Sequence, residues 1–200
     1  FNYQTTYFPL VSTHTERCNV FEKLSTNEFL VGTDSGLFVA TIKNEKFVFT
    51  QQIKESKGIE VHSITKKKQG QIGFWIGTKD NGIYNFFSNT NIKKAFPNRS
   101  EIAKQDVTSI LEDKRGKLWI GTKNNGLFRV ESTKKEEKVV SIEHYTTKNG
   151  LPSLAISCIL QDYEGSIWIG TENNGLVQML NEMFEIYAYS HGLPSENILS

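Results

Sequence analysis

The 200-residue chain has little of what usually identifies a chemistry. No run of about 18 apolar residues is present, so no segment reads as a membrane-spanning helix. Charge of one sign is lacking too: 23 Lys and Arg against 22 Asp and Glu leave a net +1. That balance gives no pull toward nucleic acid or a membrane surface. The chain opens Phe1-Asn2-Tyr3-Gln4, without a Met or an apolar leader, which fits a processed or excised start. Histidines are few and scattered (His14, His62, His144 and His191), and no pair stands at metal-ligand spacing. A phosphate-cradling Gly-rich loop is missing as well, since each Gly punctuates a strand. No catalytic, cofactor-binding or metal residue is therefore assigned, and no cofactor is expected.

What the sequence has is repetition. Leu118-Trp119-Ile120-Gly121-Thr122-Lys123-Asn124-Asn125-Gly126-Leu127-Phe128 reads as a strand, a tight turn at Asn125-Gly126 and the start of a second strand. Ile167–Val177 is nearly the same string, Phe74–Tyr84 is a third copy, and Phe29–Phe38 is a weaker fourth with Leu30 in place of Trp. A period of roughly 45 residues signals a repeat architecture. Each unit has about four short strands. Asp-x-x-Gly bounds the first: Asp113 can bond the backbone ahead of it and Gly116 can take positive φ. The second carries adjacent apolar residues such as Leu118, Trp119 and Ile120. Neighbouring strand residues point to opposite faces, so both faces are expected to be buried between adjacent sheets. Four-stranded units stacked in this way predict an all-β fold, a β-propeller of four-stranded blades.

The expected blades are 18–57, 58–103, 104–149 and 150–190. Residues 1–17 are expected to end a preceding blade. His191-Gly192-Leu193-Pro194 copies Asn149-Gly150-Leu151-Pro152, so 191–200 are expected to start a further one. No helix is expected beyond a short turn within Asn98–Gln105. Cys18 and Cys158 lie in the first and fourth units, too far apart around a ring for a disulfide to be expected.

In a repeat protein a structural residue recurs and a catalytic one should be unique. Thr33, Thr78, Thr122 and Thr171 recur, so their expected role is a hydrogen bond that pins the hairpin. Asp113 and Asp162 occupy equivalent turns, which is not the arrangement of a paired acid and base. A ligand site should lie where copies differ, on loops at the ends of the strands. The variable loops are Lys66–Gly73, Asn89–Lys104 and Lys134–Val139. Phe96 and Tyr163 are aromatics that could stack on a sugar ring, though ordinary loop roles are the simpler reading of both. Ligand-binding residues are thus left unassigned.

Asp-x-x-Gly-x-x-Trp-Ile-Gly-Thr, then Asn-Gly-Leu, then Gly-Leu-Pro before the next unit, resembles the two-component regulator propeller repeat. Asp113, Gly116, Trp119, Gly121, Thr122, Gly126 and Leu127 carry it whole. Asp162, Gly165, Trp168, Gly170, Thr171, Gly175 and Leu176 match equally. The second unit departs, with two extra residues between Gly70 and Trp75 and no Asp before them. The resemblance implies a seven-bladed ring, of which this chain would hold four full blades and partial blades at each end. It also implies an extracytoplasmic, periplasmic sensory propeller of a two-component system. Such a propeller would bind an oligosaccharide, another small ligand or a partner, form a homodimer in the full receptor, and relay to a histidine kinase outside this chain. No nucleic acid and no membrane contact by this segment are expected. A free-standing interaction scaffold and a propeller-fold lyase or glycosidase are the alternative readings.

Overall fold

The computed structural model describes residues 17–44, 46–68, 72–87, 91–97, 99, 101–132, 139–180 and 183–199. The expected end of a preceding blade, 1–17, lies outside the described residues except for Arg17.

Four antiparallel sheets follow one another along the chain, each with its strands in sequence order. The first contains β1 (Cys18–Lys23), β2 (Glu28–Thr33), β3 (Gly36–Lys43) and β4 (Lys46–Gln52). The second contains β5 (Val61–Lys66), β6 (Gly73–Thr78), β7 (Gly82–Phe87) and β8 (Asn91–Lys94). The third is β9 (Val107–Glu112), β10 (Leu118–Thr122), β11 (Leu127–Ser132) and β12 (Val139–Tyr145). The fourth is β13 (Ile156–Gln161), β14 (Ile167–Thr171), β15 (Leu176–Leu180) and β16 (Met183–Tyr187). Besides strands, the described residues hold three single 3-10 turns at Lys54–Ser56, Thr147–Asn149 and Tyr189–His191. The short turn expected within Asn98–Gln105 is present: Ala103 N–H donates to Arg99 O at 2.9 Å.

The sheets stack face to face through their first strands: β1 packs on β5, β5 on β9, and β9 on β13. This is the blade order of a propeller, whose first strands form the inner edge. Between blades lies apolar core. Leu30, Leu37, Ile64, Phe74, Ile76 and Phe86 fill the first joint. Trp75, Ile83, Phe96, Ile110, Ile120 and Phe128 fill the second. Trp119, Leu127, Tyr145, Ile156, Ile169 and Val177 fill the third. Leu118, Trp119 and Ile120 are all buried, as their place between two sheets requires.

The Gly of each Gly-Thr pair sits where one blade meets the next. A Cβ on Gly121 would stand 2.6 Å from Ile156 Cγ2, and one on Gly77 2.7 Å from Val107 Cγ1. These positions permit close approach of neighbouring sheets. The recurrent Thr does pin the hairpin. Its hydroxyl donates to the carbonyl of the turn Gly in every blade: Thr33 to Gly36, Thr78 to Gly82, Thr122 to Gly126 and Thr171 to Gly175, at 2.7–3.0 Å.

The hairpin itself differs from the expected tight Asn-Gly turn. Lys123–Gly126 all lie between the strands, and Thr122 N–H bonds to Gly126 O at 3.1 Å. Gly126 has φ +73°, whereas Asn125 keeps a negative φ. Instead Asn125 N–H donates to Thr122 Oγ1 at 3.0 Å. The Thr side chain thus takes part in the turn, which a two-residue loop leaves no room for.

Gly192–Leu199 repeat the approach to β13. Gly175 N–H donates to Glu196 O at 2.7 Å, as Gly126 N–H does to Leu154 O at 2.8 Å. A Cβ on Gly170 would meet Ile198, as one on Gly121 meets Ile156. Cys18 and Cys158 are not joined.

Candidate functional site

The two ends of the blades carry different connections. One end bears the turns between first and second strands, including Asp113–Gly116 and Asp162–Gly165. The other bears the hairpins after the Gly-Thr pairs and the links from blade to blade. At this second end the inner strands begin, so it is one mouth of the channel that inner strands line.

The turn end is built for structure. Asp113 Oδ1 accepts Arg115 N–H at 2.8 Å and Lys117 N–H at 2.9 Å, while Oδ2 accepts the Trp119 indole N–H at 3.0 Å. Asp162 repeats this with Gly165, Ser166 and, at 2.8 Å, Trp168. The indole bond, followed by the two backbone bonds, holds the Asp162 carboxyl below its usual range. The sequence pointed to the Asp–backbone bonds; the anchoring of Trp by the same carboxylate became visible only in three dimensions.

Each Trp ring also stacks on an aromatic near the end of its own blade. Trp119 lies on Tyr145 (6.2 Å, 17°), Trp168 on Tyr187 (5.7 Å, 38°) and Trp75 on Phe96 (6.0 Å, 15°). Phe96 is therefore not an exposed loop aromatic. It is 7% exposed and occupies a recurring structural position. Tyr163 is fully exposed, but it lies at the turn end, where Lys114 Nζ donates to its carbonyl at 2.8 Å.

The three variable loops do not converge. The links that contain Lys66–Gly73 and Lys134–Val139 join strands at the turn end, and of these 69–71 and 134–138 lie outside the described residues. Lys67 is buried, with Nζ 4.1 Å above the Trp75 ring. The link from β8 to β9, which takes in the later part of Asn89–Lys104, reaches the mouth end.

At the mouth, every inner strand carries a β-bulge at the same place. The register slips between Cys18 and Val20, Val61 and Ser63, Val107 and Ser109, and Ile156 and Cys158. The extra residues are Asn19, His62, Thr108 and Ser157, all polar and all different. A bulge re-aims a side chain out of the ladder. Asn19 Nδ2 donates across the joint to Val61 O at 3.2 Å, and Thr108 Oγ1 to Ile156 O at 2.5 Å. His62 does something else. Its Nε2 lies 2.9 Å from Glu60 Oε1 in its own blade, and its Nδ1 lies 3.3 Å from Asp106 Oδ1 at the start of the next. Lys79 Nζ reaches Glu60 Oε2 at 3.0 Å. The His62 hydrogen bond first, and Lys79 after it, hold Glu60 below the ordinary carboxylate range; Glu60 raises Lys79 in turn.

Beside this cluster is a cavity of about 410 Å³ lined by His62, Thr108, Ser157, Glu172, Asn173, Asn197 and Leu199. Its walls offer hydroxyl, carboxamide, carboxylate and imidazole groups from successive blades, and Leu199 supplies an apolar edge. The sequence hides this site, because its residues are spread over some 140 positions of chain. The second residue of each inner strand differs from unit to unit, but so do its neighbours, and no local pattern marks it. The remaining described histidines have local roles. His144 stacks on Phe128 at 4.1 Å with Nε2 2.7 Å from Asn125 O, and His191 Nδ1 accepts Ala188 N–H at 3.2 Å. His14 lies outside the described residues. Among the described residues no group of three or more His, Cys, Asp or Glu is arranged to hold a metal ion, and no helix is long and apolar enough to cross a membrane.

Residues 101–124 and 150–173 match the family described as Two component regulator propeller. The two stretches begin at equivalent points before a blade and end just past its Gly-Thr pair. These two stretches are similar to two-component regulator propeller repeats. Among solved structures, the chain is similar over its whole length to the extracellular domain assigned to a hybrid two component system from B. thetaiotaomicron, at 22% identity and TM-score 0.77. A second such domain from B. thetaiotaomicron is 25% identical over 77% of the chain, with TM-score 0.57. The chain spans 27% and 20% of those two domains. The fold is shared more widely: virginiamycin B lyase from Staphylococcus aureus matches 90% of the chain at 14% identity and TM-score 0.64, the match covering 58% of the lyase. No curated protein matches the chain.

Proposed function

We propose that this arc of regulator propeller repeats is the ligand-reading part of a periplasmic two-component sensor, and that the channel mouth is where it reads. The supporting observation is the 410 Å³ cavity at the inner edge, where the inner-strand side chains that line it, His62, Thr108 and Ser157, differ from blade to blade on a framework that otherwise repeats. Its mixture of neutral donors and acceptors with one carboxylate suits a polyhydroxylated ligand, and an oligosaccharide is the class proposed. Likeness to extracellular domains of hybrid two component systems supports the setting. In the intact receptor a homodimer would carry the change to a histidine kinase beyond these residues. The test is calorimetric titration of the intact protein with size-fractionated oligosaccharides from plant and host polysaccharides. Saturable binding of one class supports the reading, and uniform failure across the panel counts against it.

A further inference from the structure

The bulged residue of each inner strand stands at a joint between blades, and in two of the three joints it acts as a simple latch. Asn19 Nδ2 and Thr108 Oγ1 each donate to the first-strand carbonyl of the following blade. Neither group titrates near neutral pH, so those joints are indifferent to proton concentration. The joint between the second and third blades puts His62 at this place.

The surroundings of His62 decide which ring form fits. Glu60 Oε1 lies 2.9 Å from Nε2 and Asp106 Oδ1 lies 3.3 Å from Nδ1. The Asp106 oxygen is buried and accepts no hydrogen bond from a described residue; the 3.3 Å approach is an ion-pair contact. The Asp106 side chain is 14% exposed and that of His62 is 24% exposed, so water screens the pair only in part. Other charged groups nearby include Lys79, engaged with the far oxygen of Glu60, Asp80, which acts on Lys79, Lys123, whose backbone N–H donates to Asp106 O, and Glu172, which lines the same cavity. A neutral imidazole carries one N–H. Given to Glu60, it leaves an uncharged ring beside a buried carboxylate oxygen. The imidazolium sets a positive charge between the two carboxylates.

We propose that His62 makes the joint between the second and third blades proton-dependent: closed while the ring is protonated, loosened when it is neutral. The sign follows from the geometry. Protonation supplies the positive charge that pairs with Asp106 across the joint, so the joint is tighter while the ring is charged and looser once it is neutral. His62 also lines the mouth cavity, so the same proton would alter the wall that a ligand meets. The joint does not depend on the ligand reading above, and its test is independent of any ligand.

The experiment is amide hydrogen exchange on the intact protein at pH 5.5 and 7.5, corrected for the intrinsic exchange rate and followed in Val61–Lys66 and Val107–Glu112. The comparison variants are His62→Asn and His62→Thr, which copy the latches at Asn19 and Thr108 and so keep a donor at the bulge. Wild type should lose protection in these two strands between the two pH values by up to roughly fivefold, the factor for about 1 kcal/mol, the upper end for a partly exposed ion pair. The variants should show no such loss, and Cys18–Lys23 should be unchanged throughout. Equal pH dependence in wild type and both variants would overturn the proposal. Asp106→Asn gives a second arm: it should remove the protection gained at pH 5.5, and retention of that gain would equally overturn it.

Discussion

The indole N–H of Trp75 donates to Glu112 Oε2 at 3.0 Å, across the joint between the second and third blades. In the third and fourth blades the Trp is held by an Asp of its own blade, Asp113 or Asp162. The second blade has no such Asp, and a carboxylate 37 residues on takes its place. The same oxygen accepts Lys68 N–H at 3.0 Å, as Gln161 Oε1 accepts Lys114 N–H at 2.8 Å one joint later. A departure from the repeat pattern is thus compensated by the neighbouring blade.

Glu112 is 4% exposed, so its loss would leave a buried indole N–H and a backbone N–H without their acceptor. Glu112→Ala is expected to cost about 1.5–3 kcal/mol, the range for hydrogen bonds to a charged group. Glu112→Gln should cost less, because it retains an acceptor. Chemical denaturation of the two variants measures the difference. Equal, near-zero effects would remove the joint from the account.

Gly126 combines φ +73° with a missing side chain whose Cβ would stand 2.3 Å from Tyr145 O. Gly58 has a similar φ of +77° but nothing within 4 Å. Gly58→Ala should therefore cost only the backbone strain, about 1 kcal/mol, whereas Gly126→Val should cost clearly more because strain and clash add. Melting temperatures of the pair decide it, and the reverse order would contradict the turn geometry.

Close approach at Gly121 is a property of the joint and not of the turn. Gly121→Ala would press on Ile156 Cγ2 at 2.6 Å. Overpacking of this kind costs about 1–3 kcal/mol. Ile156→Ala removes that methyl, so its own cost should be smaller in the Gly121→Ala chain than in wild type. A double-mutant cycle reads the coupling, and strict additivity would show that the two residues do not press on each other.

Acid should unfold the protein by a definite route. Glu60 is held low by His62 and Lys79, Glu143 by Arg129 and then Tyr145, and Asp162 by Trp168 and then two backbone N–H groups. Each carboxyl is depressed in the folded chain, so its contribution is present above the ordinary carboxylate range and fades as pH falls through the depressed values. Stability to urea should drop below about pH 4, and Asp162→Asn should flatten part of that drop. A urea midpoint unchanged between pH 5 and pH 3 would contradict this.

The blades were legible because they recur. A Trp between two apolar neighbours, with Gly-Thr and Gly-Leu following at fixed steps, predicts a strand buried on both faces, and Leu118, Trp119 and Ile120 are so buried. Thr122 pins its hairpin as its recurrence suggested. The mouth was not legible, because it depends on register. The bulges that turn Asn19, His62, Thr108 and Ser157 out of the ladder arise from pairing with the second strands, and no local residue pattern announces them. Phe96 misled for the opposite reason. It lies in a loop that varies, yet it fills the place that Tyr145 and Tyr187 fill elsewhere, and the difference in spacing concealed the equivalence.

Framework residues repeat, and the proposed binding function sits at the mouth, where the inner-strand residues do not. Binding of the oligosaccharide class found by titration, measured for wild type, Ser157→Tyr and Tyr163→Ala in the intact protein, tests this most directly. Ser157→Tyr fills the mouth cavity and is expected to weaken binding at least about tenfold, roughly 1.4 kcal/mol. Tyr163→Ala, at the opposite end of the blades, should leave the affinity as it is. Full affinity in Ser157→Tyr together with loss in Tyr163→Ala would contradict the account.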